Sequence, residues 1–230
     1  MFQTTQWSVI LKTRAGEGEG RAALERLCNA YRNPVLAYLR RHSASREEAE
    51  DLTQGFFLEF IDGRLAASAD PARGRFRTYL LAAVRHYLSN ARAHAGALKR
   101  GGREQLVALA DSDELETRAD PNESPERTFE RTWALTVLAR AEARLRQEAA
   151  AAGKEELFLR LREFLLEAPE PARYEAMAEE LGMRRNTLAV TVHRLRDRLR
   201  ELVRAELAET VGDEAGLESE LRALREVLAA

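Results

Sequence analysis

Apolar residues recur along this chain at three- and four-residue intervals, and strand-type alternation is absent. Leu24, Leu27, Tyr31, Val35 and Leu39 predict a helix from about Gly20 to His42. Ser45, with Glu48 three residues later, makes a capping box that opens a helix through Ala49, Leu52, Phe56 and Phe60. A stretch of small residues from Gly63 to Gly74 leads to a third helix, Phe76 to Lys99, with Leu80, Val84, Leu88 and Ala91 in line. Gly101 and Gly102 stop it. Ser124-Pro125 then supplies an N-cap and a proline at the first helical position. Helices follow at Glu126 to Glu148 (Phe129, Trp133, Val137, Ala141, Leu145) and Lys154 to Glu167 (Leu157, Leu161, Phe164, Leu165). The expected fold class is all-α.

Farther along, Tyr174, Met177, Ala178 and Leu181 share one helical face, and Gly182 follows where a helix end wants positive φ. Leu188, Val192, Leu195, Leu199 and Leu202 then form a second apolar stripe, with Arg185, Asn186, Val190, His193, Arg194 and Asp197 pointing off it. This is the pattern of a helix-turn-helix, whose second helix suits a DNA major groove. Gly101 to Ser124 is polar, acidic and broken by Pro121, the composition of a flexible linker. Leu217, Leu221, Leu224 and Leu228 predict a short amphipathic helix near the end. The expected organisation is two small helical domains, 20–102 and 125–208, joined by an acidic linker over 103–124. An extension (1–19) precedes them and an acidic amphipathic tail (209–230) follows.

The net charge is only -2, yet the charges are segregated. From Pro71 to Arg103 there is no acid, against Arg73, Arg75, Arg77, Arg85, Arg92, Lys99, Arg100 and Arg103. Seven arginines stand between Arg184 and Arg204, with only Asp197 and Glu201 opposing them. Asp111 to Glu126 holds seven acids and Glu206 to Glu220 six. Two basic surfaces can therefore meet phosphate while acidic segments stay clear of it.

Other chemistry is thinly represented. Cys28 is the single cysteine, so no disulfide framework exists, and its spacing from Leu24 suits a core position. With no leader or long apolar run, a cytoplasmic protein without membrane insertion is expected. His42, His86, His94 and His193 lack metal-ligand spacing, so neither metal nor cofactor is expected. Gly16, Gly18 and Gly20 alternate with glutamates that would repel phosphate, and no nucleophile–histidine pattern occurs. No catalytic residue is assigned, and an enzyme is the weakest class.

The layout from Arg21 to Glu206 resembles a bacterial RNA polymerase sigma factor of the sigma-70 family, in the extracytoplasmic-function (ECF) branch. Glu47-Glu48-Ala49-Glu50-Asp51-Leu52-Thr53-Gln54 looks like region 2.2, which implies a contact with core polymerase through Glu47, Glu50, Asp51, Gln54 and Leu58. Arg75-Phe76-Arg77-Thr78-Tyr79-Leu80 through Gly101-Gly102 looks like regions 2.3 and 2.4. That implies melting and reading of the minus-ten element by Arg73, Arg75, Phe76, Arg77, Tyr79, Arg85, His86, Ser89, Asn90 and Arg92. Cations for phosphate and flat rings for unstacked bases are what such a task needs. Glu175 to Met183 and Thr187 to Arg196 look like region 4.2. The resemblance there implies minus-thirty-five contacts from Arg184, Arg185, Asn186, Thr187, Ala189, Val190, His193 and Arg194. The implied partners are the β′ and β subunits of core polymerase and promoter DNA.

One departure bears on regulation. Where the family usually carries an acid after the region 2.2 glutamine, this chain has Gly55, with Thr53 two residues before it. Phosphorylation of Thr53 would restore negative charge, and Thr5-Gln6-Trp7, Thr53 to Phe57 and the acidic tail resemble an ECF group suspected of kinase control. The competing expectation is a threonine whose hydroxyl bonds a backbone carbonyl. A serine/threonine kinase or an anti-sigma factor is the implied regulatory partner. Two rival functions remain at this level: a stand-alone helix-turn-helix regulator, and a polymerase-bound interaction protein without promoter readout.

Overall fold

Short-range signals set the helix ends. Ser45 adopts extended backbone and its Oγ accepts the amide of Glu48 at 3.1 Å, starting α2 (Arg46–Ile61). The Glu48 carboxylate reaches one residue farther back than a standard capping box, accepting the amide of Ala44 at 2.7 Å. Before it lies α1 (Gly18–Arg40), which runs through Pro34 although proline forfeits one helical amide. After it comes α3 (Phe76–Leu98). The computed structural model describes residues 18–62, 75–98, 122–167, 170–211 and 213–229, and every regular element among them is helical.

Ser124 caps α4 (Pro125–Ala151), its Oγ accepting the amide of Arg127 at 3.2 Å. The helix expected over Lys154 to Glu167 is shorter: α5 (Glu155–Leu161) gives way to a 3₁₀ turn at Arg162–Phe164. Tightening there brings Phe164 into the same core as Leu161. Arg196 stabilises the end of the turn by donating to the carbonyls of Phe164 and Glu167. Pro171 opens α6 (Pro171–Glu180), and Gly182 takes φ of 59° in the tight turn before α7 (Arg185–Ala208). The last element is α8 (Glu214–Ala229).

These helices form two compact units, one of Met1–Thr136 with Ala208–Ala230, the other of Val137–Leu207. The boundary between these units falls inside α4, and the residues from Ala208 onward group with the first unit. Most of the expected linker lies outside the described residues.

In the first unit, α1 supplies Leu27, Tyr31, Val35 and Leu39 to the core, α2 supplies Phe56 and Phe60, and α3 supplies Phe76, Leu80 and Val84. The rings of Tyr31 and Phe76 meet edge-on at 5.1 Å between centroids. Trp133 and Phe129 from α4 and Leu217, Leu221 and Leu224 from α8 are buried as well. In the second unit, Leu161, Phe164, Met177, Ala178, Leu188 and Val192 form one apolar cluster, with Tyr174, Leu181 and Leu195 packed on it. The α6–turn–α7 pair is held by these contacts. Glu206 of α7 is buried between Arg140 at 2.9 Å and Arg144 at 2.8 Å, both on α4.

Candidate nucleic-acid interface

The basic start of α3 divides into structural and exposed residues. Arg77 was expected at nucleic acid, but it is 3% exposed. Its position three residues before Leu80 and seven before Val84 puts it on the apolar stripe of its helix. The guanidinium lies 4.0 Å from the centroid of Trp133, pairs with Glu130, and approaches Glu220 of α8 at 3.2 Å. Phe76 is likewise core, 1% exposed, so neither residue offers a face to unstacked bases. Arg75 is half-buried; it donates to the Ser219 hydroxyl and lies 3.8 Å from Glu220. Tyr79 is partly exposed, and Arg73 falls outside the described residues.

Burial acts on both ends of the Arg77–Glu220 pair. It lowers the pKa of Arg77 and raises that of Glu220, while each opposite charge pulls its partner back toward ionisation. Burial also pushes up the Tyr31 phenol, which hydrogen-bonds with Thr210 and Trp133 and feels Glu220. Tyr31, Arg77, Trp133 and Glu220 therefore form one buried polar network drawn from α1, α3, α4 and α8.

The solvent side of α3 matches expectation in exposure. Arg85, His86, Ser89, Asn90 and Arg92 are all exposed, opposite Leu80, Val84 and Leu88. His86 Nδ1 and Asn90 Nδ2 are 3.3 Å apart. Two arginines of this band have local partners: Arg85 donates to Glu126, which raises its pKa, and Arg92 donates to the His42 carbonyl at 2.8 Å. The His42 imidazole itself is held below its ordinary value, chiefly by burial.

On α2, Glu47, Asp51, Gln54 and Leu58 recur at helical spacing on an exposed face, and Glu50 at its edge pairs with Arg46 at 2.9 Å. Leu58 is 57% exposed, and Ile61 three residues on extends the apolar end of the stripe. Ile61 was not singled out from sequence, although its spacing from Leu58 signals it. Thr53 faces the other way. It is 1% exposed, and its hydroxyl donates to the Ala49 carbonyl at 2.7 Å. This geometry counts against the phosphosite expectation: the hydroxyl is closed to solvent and already bonded, and a phosphate there would be desolvated among apolar side chains.

Gly55 has a packing reason. A Cβ built there would lie 2.4 Å from the Tyr87 hydroxyl of α3, while Phe56 and Tyr87 meet ring to ring at 5.7 Å. The small residue lets α2 and α3 approach closely.

A family model described as sigma-70 region 2 matches residues 27–97, which span α1 to α3. The chain carries a sigma-70 region 2 domain. No curated protein and no solved structure matches it. The region 2 domain carries the exposed stripe of α2, the exposed band of α3 and the buried Arg77, and the family places its role in RNA polymerase binding and promoter transcription.

Beyond the region 2 match, the second unit presents the other candidate set. Arg184, Arg185, Asn186, Thr187, Ala189, Val190, His193 and Arg194 are all exposed, opposite buried Leu188 and Val192. Val190 is the large apolar residue in that surface, 44% exposed. Arg185 pairs with Glu175 at 3.1 Å, and His193 Nδ1 is 2.9 Å from Asp197. The side chains of Arg184 and Arg194 have no ion pair or hydrogen bond among the described residues, leaving their donors available. Arg196, Arg198 and Arg200 are structural: the first caps the 3₁₀ turn, the second forks onto Glu148 at 2.7 and 2.8 Å, and the third pairs with Asp197. No group of His, Cys, Asp or Glu among the described residues could hold a metal ion, and no helix among them is long and apolar enough to cross a membrane.

Proposed function

We propose that this protein is a sigma factor of the ECF branch that binds core RNA polymerase and directs promoter-specific initiation. The observation that carries the reading is the region 2 match over residues 27–97, together with a solvent-facing stripe of Glu47, Asp51, Gln54 and Leu58 on α2. Acid and amide groups ending in an exposed leucine suit a basic, partly apolar surface on the β′ subunit. The exposed face of α3 bearing His86, Ser89 and Asn90 flanked by Arg85 and Arg92 supports single-strand contact at the minus-ten element.

In this reading α6 and α7 act as a helix-turn-helix at the minus-thirty-five element. Arg184 and Arg185 stand at the start of α7, where backbone amides and the helix dipole also favour phosphate. Arg194, with no competing carboxylate, is the leading base-edge contact, and a bidentate arginine–guanine pair discriminates by about 1–3 kcal/mol.

Run-off transcription with purified core polymerase over a genomic fragment library tests the function. Defined start sites that depend on this protein are expected, with binding that weakens steeply with salt. Arg194→Ala is expected to lose minus-thirty-five preference while still supporting melting. Failure to initiate on every template would refute the reading, and an Arg194→Ala protein with intact preference would refute the orientation of α7.

A further inference from the structure

We propose that α8 is a displaceable acidic cover that holds Arg75 of the region 2 domain away from nucleic acid, with Glu220 seated against Arg77 as its anchor. The inference rests on the sigma-factor reading, in which the start of α3 meets promoter DNA. Among the described residues, both side-chain partners of Arg75, Ser219 and Glu220, are on α8, and Glu220 also approaches Arg77 at 3.2 Å. The basic start of α3 is therefore engaged by a helix that follows it by well over a hundred residues.

The chemistry of Glu220 points to a cover rather than a structural plug. It is 3% exposed and lies on the same face as Leu217, Leu221 and Leu224. An apolar residue there would bury well, whereas a carboxylate must be desolvated, so a buried ion pair is a weak source of stability. The network is also incompletely satisfied: Arg77 Nε has no hydrogen bond among the described residues, and Glu220 Oε2 meets Arg77 at 3.2 Å as an ion pair without good hydrogen-bond geometry. A carboxylate, like a DNA phosphodiester, offers a guanidinium one negative charge and two acceptor oxygens. Beside the pair is an open cleft of about 890 Å³, walled on one side by Ala223 and Val227 of α8 and on others by Thr78, Arg127 and Arg131. Lifting α8 frees Arg75 of both partners and widens that cleft, while Arg77 keeps Glu130 and Trp133.

The test compares the full-length chain with Leu221→Glu, which breaks the apolar face of α8 and adds negative charge, so that any gain in DNA binding cannot come from added cations. Anisotropy titrations use labelled, mixed-sequence, single-stranded deoxyoligonucleotides. The variant is expected to bind about ten-fold tighter, with a salt dependence steeper by about one unit for the released Arg75. Adding Arg75→Ala is expected to remove most of that gain. A folded Leu221→Glu protein with unchanged affinity overturns the proposal. Should circular dichroism show that this variant has lost its helices, the near-isosteric Ser219→Ala/Glu220→Gln protein replaces it, with the same expected gain and the same refuting result. Run-off transcription with core polymerase separates the two readings. Tighter DNA binding without initiation by either protein sinks the sigma-factor reading alone, and initiation by both with equal affinities sinks the cover alone.

Discussion

The guanidinium of Arg77 lies 4.0 Å from the ring centroid of Trp133, a contact between α3 and the first half of α4. Stacked on a desolvated indole and paired with two carboxylates, this arginine ties α3 of the region 2 domain to α4 and α8.

Removing it is expected to act on stability before it acts on DNA. Arg77→Ala leaves Glu220 buried without its main counter-charge, which costs about 3–5 kcal/mol when a buried pair is broken on one side. Arg77→Lys keeps charge but loses the planar stack, so it is expected to fall between. Urea denaturation followed by tryptophan fluorescence, in a Trp7→Phe background so that Trp133 alone emits, reads both. A midpoint unchanged by Arg77→Ala would show that the network carries no stability.

Gly55 and Tyr87 form a cycle with a predicted sign change. In the wild-type background Gly55→Ala is expected to destabilise by about 1–3 kcal/mol, because the new methyl meets the Tyr87 hydroxyl. In a Tyr87→Phe background the next ring atom is 3.6 Å away, an ordinary contact. There Gly55→Ala is expected to stabilise by up to about 1 kcal/mol, the helix-propensity difference. Equal effects in both backgrounds would rule out the close approach.

Thr53→Glu places a carboxylate in the apolar interior beside Phe56 and Phe57. The expected outcome is a loss of thermal stability and weaker, not stronger, retention of core polymerase. Thr53→Ala loses only the bond to the Ala49 carbonyl, about 0.5–1.5 kcal/mol. Enhanced polymerase binding by Thr53→Glu in a pulldown would show that the buried hydroxyl is not the relevant state.

Acid is expected to destabilise the fold over a defined window. Hydrogen bonds from Arg85, Arg198 and Arg160 hold Glu126, Glu148 and Glu180, respectively, below the ordinary glutamate value of 4.5. A carboxylate depressed in the folded state contributes fully above its unfolded pKa, and that contribution disappears as pH falls through the folded value. These pairs are therefore expected to make the melting temperature drop below about pH 5, after a decline that starts near the ordinary His42 value of 6.5, because the folded His42 is held lower. The pairs are exposed, so salt should shrink the drop. A drop equally large at high salt would assign it to other groups.

Much of the candidate surface was legible because it rests on periodicity. Leu188 and Val192 are buried and Arg184, Arg185 and Arg194 exposed, as their spacing requires. Residue type is the weaker guide: the charge of Arg77 suggests an exposed side chain, yet it sits in register with Leu80 and Val84. Glu206 and Glu220 show the same signal, each on the apolar stripe of its helix and each buried against arginine. A charged residue in phase with leucines marks a buried pair whose partner is elsewhere in the chain.

Composition and spacing alone determined the helical class, the capped starts at Ser45 and Ser124, the left-handed turn at Gly182 and the side of each long helix that meets the core. Those are short-range properties, decided within one or two turns of backbone. Only the tertiary structure decided that Thr53 faces inward, that Gly55 accommodates Tyr87, and that α8 joins the first unit with Glu220 against Arg77. Such pairings depend on which surfaces meet after the chain has folded back on itself, and no local pattern encodes the distant partner.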